Sequence, residues 1–551
     1  MRDIFLIFLF CIIMVSTAIS NMGTLMFKST EDYEQWRISM LLDGEVPLSA
    51  NTPIPLSFAE KSNDITQLEA ESRTLFSGRF SPQLIVSNFE PWPRSGWYNT
   101  DVPEYIRYRY DSMLPWLELG FFTFAGDNLT GVINVDLRKD YRSYITHGPS
   151  REERPYTNLP VEMINAIEAL ELSWPSFGYA SYGTEHFYAS LGRNTLSWGP
   201  MRNGLALSDA SQYYDNLSAA YSTPMFGLGN FTYTFNLISV ISLMNSSDWE
   251  RQRKTSDGQF KYWDLNQDQI YDYPAKHIIG HRMDFQVTPW LRLGLGELNV
   301  VGGKQLDMTD FNPFILYHNT YGEGYSNVMG VADFSAIVLP GLQLYGEFAM
   351  DDFAGPTETY GARSKPMAIA FGGGVEYAHR FDNMIFSVAL EGYHVDTWMY
   401  NRWQPLLTFT NRTLTKSEYP GARDLNEYPT GFKYGPDLNG LSVFVSMYSQ
   451  RGFTVNLEFD YFVQGEVNMK TPYLYMDDPS DEPGKWTDPE YWRNSDGEKY
   501  PAGVLRLGGY YDFGRVRIGG DFSLYMGRYF EEYGGYEKPV YEIRPFFSIA
   551  F

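Results

Sequence analysis

Cysteine is almost missing from this 551-residue chain: Cys11 is the only one, and it sits inside an apolar stretch near the amino terminus. Once such a leader is removed, no disulfide framework and no thiolate chemistry remain. Long hydrophobic runs are missing as well. Mean hydropathy is -0.32, and after the first twenty residues no apolar run approaches the ~20 that a membrane helix needs. Any crossing of a membrane must therefore use strands. Positive charge is short: 43 Lys and Arg stand against 67 Asp and Glu, a net charge of -24. Phosphate backbones need clustered Lys and Arg, so nucleic acid is excluded as a partner. Catalytic motifs are lacking too, with no G-x-S-x-G elbow, no Walker loop and no G-x-G-x-x-G. Gly372-Gly373-Gly374 falls in an expected strand, where it relieves crowding. No enzymatic activity is expected.

The amino terminus has Arg2, an apolar core from Ile4 to Val15, and small residues around Ala18 and Ser20. That order predicts an export signal peptide over residues 1–20. Phe10 before Cys11 argues against lipid attachment there. Residues 21–75 do not alternate. Ser29-Thr30-Glu31-Asp32 predicts a helix start, and Tyr33, Trp36, Met40 and Leu41 recur at helical spacing. The Pro-containing stretch Val46–Phe58 breaks that helix, and Glu60–Leu75 suits a second one. The segment reads as a periplasmic brace or plug for the strands beyond it.

What is abundant is Tyr (42), Phe (38) and Gly (49), which suits pleated strands and tight turns. From about Phe76 the pattern has period two. Phe453, Val455, Leu457, Phe459, Tyr461 and Val463 share one face, with Thr454, Asn456, Glu458, Asp460, Phe462 and Gln464 on the other. Val516–Met526 repeats the alternation. Short turns are expected at Gly126-Asp127-Asn128, about Ser176–Thr184, Phe226–Asn230, Thr288-Pro289-Trp290, Leu339-Pro340-Gly341, Arg380–Asn383, Gln450-Arg451-Gly452 and Phe513-Gly514-Arg515. Between them run long polar connections, 139–167, 194–215, 243–277, 300–327, 351–367, 396–440, 465–502 and 527–540. Strict alternation of short and long predicts an all-β, up-and-down antiparallel transmembrane barrel over 76–551, of about 18 strands, in a bacterial outer membrane. Tyr105–Tyr110 could add a strand. The final stretch, Tyr541–Phe551, alternates and ends on an aromatic residue. It resembles the C-terminal signal read by the barrel assembly machinery, and its Glu542 and Arg544 should face the lumen.

Candidate binding residues lie in the long connections. Trp249, Tyr262, Trp263, Tyr271 and Tyr273, then Trp398, Tyr400 and Trp403, then Trp486, Tyr491 and Trp492 stand among amides and acids. Flat aromatic faces beside hydrogen-bonding groups can hold sugar rings. Trp263, Tyr271, Trp398, Trp403, Trp486 and Trp492 are the foremost of these for polysaccharide, although barrels also use aromatics as an interface belt. Asp264, Asn266, Asp268 and Asp272 occupy positions 1, 3, 5 and 9 of a calcium loop. Gln269 and Ala275 depart from that pattern, so calcium is weighed against a solvated acidic loop. His277 and His281 have zinc-helix spacing without the glutamate, and Asp351-Asp352 could be a paired acid or simply rim residues.

Gly192-Arg193-Asn-Thr-Leu-Ser-Trp198-Gly199-Pro200, followed by Gly204–Asp209, resembles the Wzi family of capsule-assembly outer-membrane proteins. A second similar stretch runs through Tyr317-His318-Asn319, Gly330–Asp333, Leu344–Phe348 and Asp351-Asp352-Phe353. The resemblance implies an eighteen-stranded barrel with a periplasmic helical element, acting as a lectin for surface polysaccharide. Trp198-Gly199-Pro200 follows a strand end and, read from the residues alone, is a rim turn. A porin-like channel for small solutes is the alternative.

Overall fold

The computed structural model describes residues 21–59, 73–88, 104–141, 144, 156–160, 170–171, 175–225, 227, 229–253, 272–321, 325–352, 368–402, 404–416, 423–449, 451–469, 471, 497–530 and 538–551. The expected signal peptide lies outside them, as do residues 60–72 of the second expected helix. Arg73–Leu75 of that helix are already strand, so the wall starts slightly earlier than Phe76.

Eighteen antiparallel strands close into a barrel. They are β1 (Arg73–Phe80), β2 (Leu117–Ala125), β3 (Leu129–Leu137), β4 (Phe177–Gly183), β5 (Phe187–Asn194), β6 (Tyr214–Pro224), β7 (Asn230–Val240), β8 (Tyr273–Thr288), β9 (Leu291–Gly303), β10 (Ser326–Leu339), β11 (Leu342–Asp352), β12 (Ala368–Phe381), β13 (Met384–Val395), β14 (Leu438–Ser449), β15 (Phe453–Gln464), β16 (Tyr500–Asp512), β17 (Val516–Met526) and β18 (Val540–Ala550). The period-two pattern is realised as two faces. On β18, Tyr541, Ile543, Phe547 and Ile549 are exposed outward, whereas Glu542, Arg544 and Ser548 are buried toward the lumen. No described helix is long and apolar enough to cross a membrane; the apolar outer wall is the crossing surface.

β18 meets the start of the wall in two steps. Ile549 and Ala550 pair with Phe80 and Arg79, and Phe551 and Gly78 exchange backbone hydrogen bonds of 2.8 Å. The chain then bends at Ser81-Pro82, where proline has no amide to give, and Leu84–Ser87 rejoins β18 at Glu542 and Ile543. A Cβ at Gly78 would lie 2.2 Å from the Phe551 ring, so this close approach needs glycine.

Where their residues are described, the expected short turns hold, with one correction. Phe177–Gly183 is strand, and the turn is at Thr184–His186, closed by the Phe187 amide donating to Thr184 Oγ1 at 3.0 Å. Small residues such as Gly178, Ala180 and Ser181 look turn-like in sequence, yet Tyr179 and Ser181 alternate inward with Ala180 and Tyr182 outward. Tyr105–Tyr110 is not a strand. It lies in the helix Glu104–Asp111, whose Arg109 and Tyr110 are buried.

The helix α1 (Glu31–Asp43) forms where the sequence expects it. Thr30 Oγ1 accepts the Tyr33 amide, Glu31, Asp32 and Glu34 fill the first turn, and Gly44 ends it in the left-handed region at φ 80°. The α1 segment is fixed at the short-turn end of the barrel. The Gly341 amide donates to the Leu41 carbonyl at 2.8 Å, and the Val46 amide donates to the Pro289 carbonyl at 2.7 Å. In barrels of this kind that end faces the periplasm.

Candidate functional site

The lumen is occupied from both ends. From below come residues 21–59, with α1 and the short strand pair Leu25–Met26 and Ile54–Pro55. From above, the connection 195–213 turns inward instead of forming a rim. Trp198, Met201, Leu205 and Leu207 are buried, and the Trp198 indole N–H donates to Asn236 at 3.1 Å. The reading of Trp198-Gly199-Pro200 as a rim turn is therefore corrected. Two wall carboxylates hold the turn by its backbone. Glu347 accepts the amides of Met201 (2.7 Å) and Leu205 (3.0 Å), and Glu391 accepts that of Arg202 (2.7 Å). Gly199 has φ 88°, and a Cβ there would lie 2.2 Å from Glu347, so glycine is required on both counts.

The two intrusions meet at four charges. Arg202 from the upper loop reaches Glu34 of α1 at 2.6 Å and Glu376 of β12 at 3.0 Å. Arg37 of α1 reaches the same two carboxylates at 3.0 and 2.8 Å. Burial pushes the Glu34 carboxyl up, but Arg202 and Arg37 together hold it below its ordinary value. The same arginines line a cavity of about 190 Å³ with Lys28, Tyr33, Glu34 and Arg292. Pairing and hydrogen bonding are what let such charges stay buried.

Similar clusters fasten the other intrusions. Asp284 of β8 accepts the Ser49 hydroxyl at 2.7 Å while paired with Arg282 at the same distance. Lys433, from the connection 396–437, reaches Asp460 of β15 at 2.8 Å, and Tyr434 donates to the same carboxylate at 2.7 Å. Arg109 of the helix Glu104–Asp111 pairs with Glu542, and Arg544 donates to the Arg109 carbonyl at 2.6 Å. Glu542 and Arg544 do face the lumen, as their alternation on β18 predicts.

Above this filling, the described parts of several exterior connections interlock. The hairpin Thr410–Lys416 with Arg423–Pro429 packs onto its neighbours. Asn411 donates to Ser211 and to the Tyr213 carbonyl (both 2.7 Å), and Lys416 donates its amide to Glu171 at 3.1 Å. Gln252, in the helix Ser246–Arg253, accepts the Leu406 amide at 2.9 Å. Asp351 accepts the Tyr400 amide at 3.2 Å, and Asp352 pairs with Arg402, so this acid pair anchors the 396–437 connection rather than standing free at the rim.

Of the aromatic candidates for polysaccharide, Trp398 is half-buried just beyond β13, next to Tyr400, which is fully buried and serves as a lock between Leu205 and Phe432. Trp263, Tyr271, Trp403, Trp486 and Trp492 lie outside the described residues. So do Asp264, Asn266 and Asp268 of the calcium pattern. Asp272 is described and pairs with Arg253 at 3.3 Å. Among the described residues no group of three or more His, Cys, Asp or Glu is placed to hold a metal. His277 and His281 lie on a strand, where that spacing puts both on its outer face.

A closed wall, apolar outside and polar within, with short turns at one end and long connections at the other, defines an outer-membrane β-barrel protein. Among solved structures, Wzi of Escherichia coli, an outer membrane protein involved in group 1 capsule assembly and a carbohydrate binding β-barrel, matches over 96% of this chain and 99% of its own, with TM-score 0.52 and 15% identity. The resemblance seen at Gly192–Asp209 thus meets a structural neighbour of that name, and what the match establishes is the fold. Pseudomonas aeruginosa OccK3 (OpdO) aligns over 87% of this chain and 95% of its own, with TM-score 0.37 and 7% identity. Acinetobacter baumannii OccAB4 aligns over 88% and 99%, with TM-score 0.37 and 10% identity. No family model and no curated protein matches the chain.

Proposed function

We propose that this protein binds or organises a capsule-like surface polysaccharide through its exterior connections, without catalysis and without serving as a solute channel. The observation that carries the reading is the lumen. Three of its buried wall carboxylates hold inserted segments, Glu376 on Arg37 and Arg202, Asp460 on Lys433 and Glu542 on Arg109, and so are not left to line a water-filled path. The work of such a protein falls to the interlocked exterior, where Trp398 and its neighbouring loops offer aromatic and amide contacts for sugars. The carbohydrate-binding description of the Wzi neighbour supports the same reading. Export by residues 1–20, and recognition of Tyr541–Phe551 by the barrel assembly machinery, belong to it as the route to the membrane.

The test pairs two measurements on purified protein. Immobilised barrel is exposed to polysaccharide extracted from the producing cells, and saturable retention is expected. In planar bilayers the same preparation should stay closed. Failure to bind any of the producer's surface glycans removes the lectin reading, and stable ion-conducting openings restore the channel.

A further inference from the structure

The wall's alternation fails on an outer patch of β8 and β9. On β8 and β9 the outward positions include His277, His281, Glu297 and Asn299, polar side chains in a row that elsewhere carries Leu293, Leu295 and Met283. Facing hydrocarbon, such groups would be strongly disfavoured. They are instead covered: His277 is 3% exposed and Asn299 0%. The cover is residues 304–321 of a connection that the sequence reads as an exterior polar loop; they fold down over the outside of the barrel.

Its attachment is specific. The Tyr317 ring stacks on His281 at 4.6 Å, and the Tyr317 amide donates to Glu297 at 2.9 Å. His281 lies 3.3 Å from the same carboxylate. Asp310 lies 4.0 Å from His277 and collects Lys304 (2.8 Å) and the Tyr321 hydroxyl (2.7 Å). At the far tip, the Tyr233 hydroxyl donates to the Pro313 carbonyl, and Phe314 stacks on the Tyr233 ring. Tyr233 is close to the Asn230 start of β7, so the connection descends most of the wall from the Gly303 end of β9. Its charged pair Lys304 and Asp307 stays at the top.

The free side of this connection is apolar. Met308 is 82% exposed and Phe314 83%, with Leu306 and Leu316 beside them. They continue the exposed surface of Leu293, Leu295 and Phe334 on the adjoining wall. A groove of about 490 Å³, lined by Leu191, Leu217, Leu237 and Leu306, runs on beside it. We propose that residues 304–321 form an intramembrane arm whose outer side contacts the acyl chains of membrane lipid. Continuity with the lipid-facing wall selects that occupant: the arm lies at the height of Glu297, midway along β9, where the barrel is surrounded by hydrocarbon. The polar patch beneath is a latch, and the arm is what makes it tolerable there.

The experiment places a nitroxide on the full-length barrel, in a Cys11→Ser background, at Met308→Cys, Phe314→Cys and Leu316→Cys. Leu295→Cys serves as the wall reference and Lys499→Cys as the exposed loop reference. The protein is reconstituted in phosphatidylethanolamine and phosphatidylglycerol vesicles, and relaxation by oxygen and by a water-soluble nickel chelate is measured. Arm labels should match Leu295→Cys, with high oxygen and several-fold lower nickel accessibility than Lys499→Cys. Nickel accessibility equal to that of Lys499→Cys overturns the proposal. Exclusion of both reagents also overturns it, since that would mean the arm packs against protein, such as a second copy. Leu316→Cys keeps the test standing should Phe314→Cys fail to insert.

Discussion

Arg202→Met removes one side chain from the place where the upper and lower fillings of the barrel meet. The wild-type guanidinium lies 2.6 Å from Glu34 and 3.0 Å from Glu376, and Glu376 is almost wholly buried. Breaking a buried ion pair costs about 3–5 kcal/mol; the lower end applies, because Arg37 remains beside both carboxylates. About 3 kcal/mol is roughly a hundredfold in the ratio of docked to undocked loop. The backbone bonds of Met201 and Arg202 to Glu347 and Glu391 are untouched, so the loop should loosen rather than unfold. In planar bilayers the variant should show brief openings about a hundredfold more often than wild type. Acidification should act in the same direction. Glu34 is held below its ordinary value in the docked state, so its contribution is complete above the ordinary glutamate range and is lost as pH falls through the lowered docked-state value. A variant as silent as wild type at both neutral and acid pH would refute the idea that this cluster joins the two halves of the filling.

Gly199→Ala should lower the temperature at which the barrel loses its compact electrophoretic mobility, because the left-handed backbone costs about 1–2 kcal/mol for alanine and its Cβ displaces Glu347. Gly78→Leu should reduce the fraction of chain that reaches the heat-modifiable folded form in membranes, and adding Phe551→Ala should restore part of it by vacating the space the new side chain needs. Asp284→Asn leaves Arg282 and Arg292 with less counter-charge and weakens the seat of Ser49. Limited proteolysis should then cut within residues 21–59 faster than in wild type, and an unchanged cleavage rate would show that the other contacts suffice.

The wall was legible because strand faces are a local property: Glu542 and Arg544 alternate with apolar neighbours whatever lies elsewhere in the chain. Turns were legible for the same reason, except at Phe177–Gly183, where small residues mimic a turn while Tyr179 keeps the strand face. The filling was not legible, since Glu376 finds Arg37 across 339 positions and Glu542 finds Arg109 across 433. One sign was present: Leu196, Trp198, Met201, Leu205 and Leu207 make the 195–213 connection too apolar for an exterior loop. The Tyr105–Tyr110 stretch misleads in the opposite sense, because its Tyr and Arg alternate while burial of Arg109 and Tyr110 in the lumen favours a helix. His277 and His281 look like a ligand pair only when read as helix. As strand, they mark a place where the outer face is not meant to meet lipid bare.

The position of α1 also constrains the order in which the molecule can be built. Glu31 accepts hydrogen bonds from Thr454 and Tyr510, separated from it by 423 and 479 positions. Arg37 needs β12 and Ser49 needs β8. These contacts do not all exist until β8, β12, β15 and β16 are in place, and loop-closure entropy opposes each of them until then. Full seating of α1 therefore depends on strands drawn from widely separated parts of the chain. The barrel is thus closed around contents that its own strands hold, and no single part of the wall can hold them fully.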